Sequence, residues 1–346
     1  MKKIPEITLM HVLACFMVLA LHICQKSGLG AIGEFLLAGL ILFFIVAGYL
    51  VGFSNADINR RWLAKKAKRI LLPYYILVIP ILVLYYLFAN DEFDAKSCSY
   101  ILCNLQGINY VIYTFSDYKA MAGFGHLWYV TIIMICFVGY CVWRKYLNSP
   151  FAINPKVLNI AISLFIIAFM FLVAVPLFLT FGITLIYVFS FVMGLLFGKV
   201  WSCDYIKVKR GLFASTMIMI LATVARLGGG KLIDGTLFYD RYLAPMSNLA
   251  WAMFIFFLIF YVGNRNPRLI NSIASSKIVT FLDNITYEIY LTHYFILCGV
   301  WSARTFVDDL WMSNFFVVIF SLVFAYVLHQ LVNSIHRFTR KYISEK

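Results

Sequence analysis

The chain has 346 residues, of which 63% are hydrophobic and only 13% charged, against roughly 45–50% and about 25% in an ordinary soluble domain, so a water-soluble fold of this length is excluded. A net charge of +14 would suggest nucleic acid if the chain were soluble. In a chain whose solvent is the bilayer it marks a side of the membrane, and no nucleic-acid partner is expected.

The hydrophobic excess falls in blocks of roughly 17 to 23 residues, each about long enough to cross a roughly 30 Å hydrocarbon core. In chain order they predict spans near 7–25, 33–54, 70–90, 125–143, 157–175, 180–198, 211–227, 245–263, 283–303 and 311–333. The first follows only Met1–Glu6, has no small-residue cleavage site and carries two histidines, so it reads as a retained helix rather than a signal peptide. Only Pro176–Leu179 divides the fifth from the sixth, and the charge pattern decides that it is a turn. With ten spans and the amino terminus inside, 22 of the 29 Lys and Arg residues fall in cytoplasmic segments, and seven, among them Arg226 and Arg304, fall outside. Asp91, Glu92, Asp94, Asp117, Asp234, Asp240, Asp308 and Asp309 are all on the outer side in this arrangement. The expected fold is all-α: a polytopic bundle of about ten transmembrane helices with both termini cytoplasmic, one domain over 1–346 and no appended soluble domain. The longest outer stretches, 91–124 and 228–244, are of a size that often carries function.

Eight cysteines are scattered without a C-x-x-C pair or metal-ligand spacing, so they read as packing residues and no metal is expected. Cys98 and Cys103 share one outer loop, which leaves a local disulfide open.

Ionisable residues inside spans are costly and therefore draw notice. His11 and His22 in the first span are eleven residues apart, about 16 Å along a helix and about 20° from eclipsed, so they share a face at two depths. A histidine can take the proton of an attacking hydroxyl, as acyl transfer to an alcohol requires. Interhelical hydrogen bonding is the plainer role for both.

The second span holds FFIVAGY at Phe43–Tyr49, whose glycine suits close helix approach. Before the third, RRWLAKKAKRILLP at Arg60–Pro73 carries Arg60, Arg61, Lys65, Lys66, Lys68 and Arg69. The fourth opens on GHLWY, with His126 and Trp128 at the interface, where tryptophan also serves as an anchor. YVFSFVMGLLFGK at Tyr187–Lys199 reads as a packing segment. The ninth contains ITYEIYLTH, residues 285–293, with Glu288, Tyr290 and His293, and Glu288 is the acid set firmly inside an apolar span. His329 reads as an interfacial residue of the last span.

Taken in order, these segments resemble the acyltransferase 3 family, the membrane enzymes that O-acetylate bacterial surface polysaccharides and related acceptors. In that family a basic residue in the first helix is followed eleven positions later by histidine. His22 matches the proposed catalytic histidine, while His11 stands where arginine or lysine is usual and Ala47 where serine is usual. The resemblance implies a bacterial inner-membrane O-acyltransferase that uses cytoplasmic acetyl-CoA or another acyl-CoA and a glycan or lipid-linked saccharide acceptor. On it His22 is the catalytic candidate; Glu288, read from its place inside an apolar span, is the second, as a carboxylate to orient the His22 imidazole. His11, Lys66, Arg69, Arg60 and Arg61 are donor contacts, with Arg69 and Lys66 the first choices for phosphates. His126, Trp128, Tyr290 and His293 line the acceptor site. A proton-coupled transporter or flippase is the alternative, although the sequence has no paired broken helices or inverted repeat. An interaction scaffold leaves the intramembrane histidines without a role.

Overall fold

Helix formation here follows the apolar blocks, but the helix ends are set by caps and by polar turns that continue beyond them. The computed structural model describes residues 3–54, 56–108, 121–147, 184–200 and 205–344. The predicted fifth span and the Pro176–Leu179 turn lie outside the described residues. Helix α1 (Pro5–Lys26) starts on a proline, which has no N–H to leave unpaired, and carries Glu6 in its first turn and Lys26 in its last, as the helix dipole favours. A short α2 (Gly30–Leu36) runs into α3 (Ala38–Phe53). Helix α4 (Arg60–Phe88) is capped by Asn59, whose side chain accepts from the Trp62 amide. Its basic first turns are therefore helical and project beyond the apolar part of the span. Beyond the far end of α4 lies α5 (Ala95–Leu102), and α6 (Trp128–Leu147) then runs back along α4.

The remaining described helices are α7 (Thr184–Val200), α8 (Tyr205–Leu232), α9 (Ala244–Arg265), α10 (Pro267–Ala274), α11 (Lys277–Cys298), α12 (Ala303–Phe306) and α13 (Leu310–Ser344). No strand occurs among the described residues. Seven helices there are long and apolar enough to cross a membrane. At the predicted sixth and ninth positions stand α7, which is shorter, and α11, which carries Lys277, Asp283 and Glu288. The predicted outer stretch 228–244 is corrected: α8 runs on to Leu232 and a π-helical turn, Tyr239–Leu243, leads into α9, so little of it is loop.

Side-chain pairs fix the relative directions. His11 meets Asp283, Cys15 meets Thr286 and His22 meets His293, so α1 and α11 run parallel in register. Glu288 meets His329 and Thr292 meets Ser321, so α13 is antiparallel to α11. Tyr85 meets Phe124 while Trp62 meets Phe137, so α4 and α6 are antiparallel. Trp128 meets Tyr187 and Tyr140 meets Lys199, so α6 and α7 run parallel. One face of the bundle thus collects the start of α1, the end of α3, the start of α4, the ends of α6 and α7, and the end of α13. The end of α1 and the starts of α6, α7 and α13 lie on the other.

The tightest contact is the seam between α3 and α7. A methyl group added at Gly48 would strike the Phe191 carbonyl oxygen, and one at Gly194 the Ile45 carbonyl oxygen, with Gly52 and Gly198 repeating the relation one turn on. Glycine lets the two backbones touch, which in lipid supplies packing energy that hydrophobicity cannot. Both segments read from the sequence as packing segments are this seam. Peripheral helices show the complement: Phe213 on α8 is 71% exposed and Trp311 on α13 is 77% exposed, surfaces suited to lipid rather than water.

Candidate active site

Two helices and the turn before a third bring three imidazoles together near one end of the bundle. His22 comes from the last turns of α1, His293 from the matching level of α11, and His126 from the turn that precedes α6. The His22 and His293 rings stack with centroids 5.3 Å apart, and His126 meets His293 edge-on at 5.2 Å. Tyr294 lies against both His22 and His126, at 4.8 and 5.1 Å. Tyr290 packs on His126 at 5.3 Å and its hydroxyl donates to the His126 backbone carbonyl. His126 and His293 are buried, at 3% and 1% exposure, and His22 is half-buried.

The hydrogen bonds assign the tautomers, because a nitrogen that faces a carbonyl oxygen must carry the proton. Nδ1 of His293 donates to the backbone carbonyls of Ile289 and Tyr290, at 3.1 and 2.8 Å. Its Nε2 is left with a lone pair, buried and without a hydrogen-bond partner among the described residues. Nδ1 of His22 faces Gln25 Oε1 at 3.1 Å, so its Nε2 is likewise the basic nitrogen. Nε2 of His126 donates to the Leu291 carbonyl at 3.0 Å, tying the turn to α11. A buried polar atom normally finds a partner, so an unspent one in such a cluster calls for an explanation. In the neutral form each of the three imidazoles offers one basic nitrogen and is held by a bond to the opposite one, and those of His126 and His293 are buried without a hydrogen-bond partner among the described residues.

The site is braced from the chain end of α1. Arg304 donates to the Lys26 carbonyl, to Ser27 Oγ at 3.0 Å and to Asn314 Oδ1 at 2.8 Å, which locks the α1 terminus to the start of α13. Sequence reasoning counted Arg304 only as an outer charge. Trp128 turns inward, half-buried, and packs on Tyr187 at 4.8 Å.

Glu288 does not orient His22, and that expectation is corrected. Its Oε1 lies 2.9 Å from His329 Nδ1 of α13. Glu288 stands five residues before His293, whose ring meets His22, and so about 7.5 Å away along α11. His329 is thereby corrected from an interfacial residue to the partner of a buried carboxylate. Local sequence pattern does not encode the pair, because helices α11 and α13 could face each other at many registers.

His11 lies at the opposite end of α1. Its Nδ1 is 3.2 Å from Asp283 Oδ1, and Lys3 reaches the same carboxylate at 2.9 Å. Of the predicted donor contacts, Arg60, Arg61 and Arg69 are exposed on this face, while Lys66 is half-buried over the rings of Trp62 and Phe137, at 5.5 and 5.4 Å. Arg226 is corrected from an outer-loop charge to a residue 2% exposed within α8. It pairs with Glu34 at 2.6 Å, donates to Asn248 at 3.0 Å and covers the Phe35 ring. Cys98 and Cys103 are both free thiols, so no disulfide joins them. Among the described residues no group of three His, Cys, Asp or Glu is arranged to hold a metal ion.

An all-helical, multi-pass membrane architecture with a buried histidine cluster defines a class of membrane proteins whose chemistry takes place between helices. The chain belongs to the acyltransferase 3 family, whose model, described as an acyltransferase domain, matches residues 4–330. It is accordingly a membrane acyltransferase. No curated protein and no solved structure is significantly similar to it.

Proposed function

We propose that the protein transfers an acyl group, acetyl in the first instance, from cytoplasmic acyl-CoA to a hydroxyl of a glycan or lipid-linked saccharide at the bacterial cytoplasmic membrane. The observation that carries the reading is the stacked His22–His293 pair, with a basic ring nitrogen on each histidine and hydrogen bonds on the opposite nitrogens. In the proposed step Nε2 of His22 takes the proton of the acceptor hydroxyl while its oxygen attacks the thioester carbonyl carbon. The carbon–sulfur bond breaks, the sulfur leaves as thiolate and the proton returns to it, giving the ester and free thiol. His293, His126, Tyr290 and Trp128 then surround the acceptor. Glu288 with His329 holds α11 against α13 and so sets the height of His293.

The ten-span topology with both termini cytoplasmic belongs to the same proposal. It is supported by the parallel course of α6 and α7, consecutive described helices that end and begin on opposite faces, and by the gathering of Lys3 and the basic start of α4 on one face. That face would receive the donor, and the histidine cluster, toward the other, would meet the acceptor.

Purified protein is expected to release thiol from acetyl-CoA, and surface glycans from cells with the gene should carry an acyl mass increment absent from cells without it. Together these name donor and acceptor. The buried Glu288–His329 pair favours one rival, a proton-coupled transporter. Substrate movement without thiol release would decide for it.

A further inference from the structure

The basic face contains a cavity that the sequence did not indicate. It has a volume of about 370 Å³ and lies where the ends of α3, α6 and α7 converge, lined by Ser54, Tyr140, Arg144, Gly198 and Lys199 among others. Among the described residues no carboxylate lines it, and the nearby Asp57 is held by the Asn59 side chain at 2.8 Å.

Arg144 and Lys199 both stand in the last turn of their helices, where a cation complements the helix dipole, and that alone would explain their presence. Three further observations go beyond it. Nε of Arg144 is buried without a hydrogen-bond partner among the described residues, a cost that a guanidinium rarely bears without an anion to meet. Lys199, although exposed, lies over the rings of Trp143 and Tyr140, at 4.8 and 6.0 Å, on the side of the cavity that Arg144 also lines. Two cations lining one small space repel each other, and an anion between them converts that repulsion into attraction. A phosphate meets both needs, since it accepts from the planar guanidinium in two places and from the ammonium as a point charge.

We propose that this cavity is a phosphate-binding site. Resting on the donor reading above, we assign to it the phosphate-bearing end of the coenzyme A thioester. Arg144 lies sixteen residues from Trp128, the residue two beyond His126, which puts the cavity about 24 Å along α6 from the histidine cluster. A donor whose phosphates and thioester are joined by a long flexible arm fits that separation. The cavity therefore replaces the exposed Arg60, Arg61 and Arg69 as the principal anchor, and Lys66 lies nearby, over Phe137 on the same helix as Tyr140.

The same chemistry would serve a phospholipid headgroup, so the test has two arms. Binding of coenzyme A and of adenosine 3′,5′-bisphosphate is measured for the full chain in phosphatidylcholine nanodiscs, comparing wild type with R144Q, K199Q, the double variant and R144K, and with K209Q as a control on the same face. Retention of phosphatidylglycerol is measured in parallel, and each variant is checked for an unchanged melting profile. Loss of one charge-assisted contact is expected to weaken both nucleotides about tenfold, with the double variant weaker still, R144K partly restored and K209Q unchanged. Wild-type affinity in the double variant would overturn the site. Loss of phosphatidylglycerol retention with intact coenzyme A affinity would overturn the donor assignment in favour of a lipid. Failure of wild type to bind coenzyme A would count against the donor reading itself, and the lipid arm would then decide whether the cavity takes phosphate at all.

Discussion

The α3–α7 seam and the histidine cluster are both made between helices inside the same bundle, yet they are built on opposite principles. At the seam four glycines bring backbone onto backbone, and there is no room for a methyl group. At the cluster imidazoles meet face to face and edge-on, 5.2–5.3 Å apart, and ring nitrogens are left unspent. In lipid, packing supplies the stability that hydrophobicity cannot, so the seam can be saturated and the cluster left partly unsatisfied. The difference separates residues that hold the fold from residues available for chemistry, and it can be broken at either end.

The largest effect is expected at the seam. Gly194→Leu drives a side chain into the Ile45 carbonyl, so the backbones must part and folded protein should be lost from detergent extracts by size-exclusion chromatography. Normal yield of a monodisperse variant would show that the seam is looser than described. At the cluster the opposite outcome is expected: His22→Ala should leave the melting profile nearly unchanged and reduce turnover by about 10²- to 10⁴-fold, the range of a lost general base.

The Glu288–His329 pair stands between the two extremes. Glu288→Ala leaves His329 without its partner and is expected to lower stability by roughly 3 kcal/mol or less, read as a fall in melting temperature. Glu288→Gln, which keeps a hydrogen bond, should cost less. A loss of turnover in Glu288→Gln with stability retained would promote the carboxylate from positioning to chemistry.

The smallest effect lies outside the membrane. Asp94 caps α5, and its hydrogen bonds from the Ser97 hydroxyl and amide hold its carboxyl below the usual value of 3.8. A depressed carboxylate pKa contributes stability that is present above the ordinary value and is lost as pH falls through the depressed one. Amide exchange at Lys96 and Ser97, corrected for its intrinsic pH dependence, should therefore lose protection only below about pH 4, and Asp94→Ala should remove it at neutral pH, as expected for a cap worth about 1 kcal/mol.

Much of the architecture was legible because lipid imposes a length on every span and a sign on every loop. The apolar blocks located helices at nine of the ten expected positions, the fifth lying outside the described residues. The ends were less legible, since α4 and α8 continue as helices through basic or glycine-rich turns where hydropathy falls. In the site, spacing put His22 and His11 on one face, and the geometry adds that His22 joins His293, His126 and Tyr290, all four named from the sequence. The partnerships were not legible. Glu288 with His329, Glu34 with Arg226 and His11 with Asp283 link residues 41, 192 and 272 positions apart, and nothing in local periodicity encodes which helices adjoin. Arg226 left one trace: it stands at the edge of an apolar span, where a buried partner on another helix was worth seeking.

The central claim is that a neutral imidazole of the stacked pair accepts the proton of the acceptor during transfer from a thioester. Thiol release from acetyl-CoA by purified wild type and by His22→Ala, at equal folded concentration and with acceptor glycan present, tests it most directly. The account predicts release by wild type and a loss of at least about 10²-fold in the variant. Equal release by both proteins would contradict it and remove His22 from the mechanism.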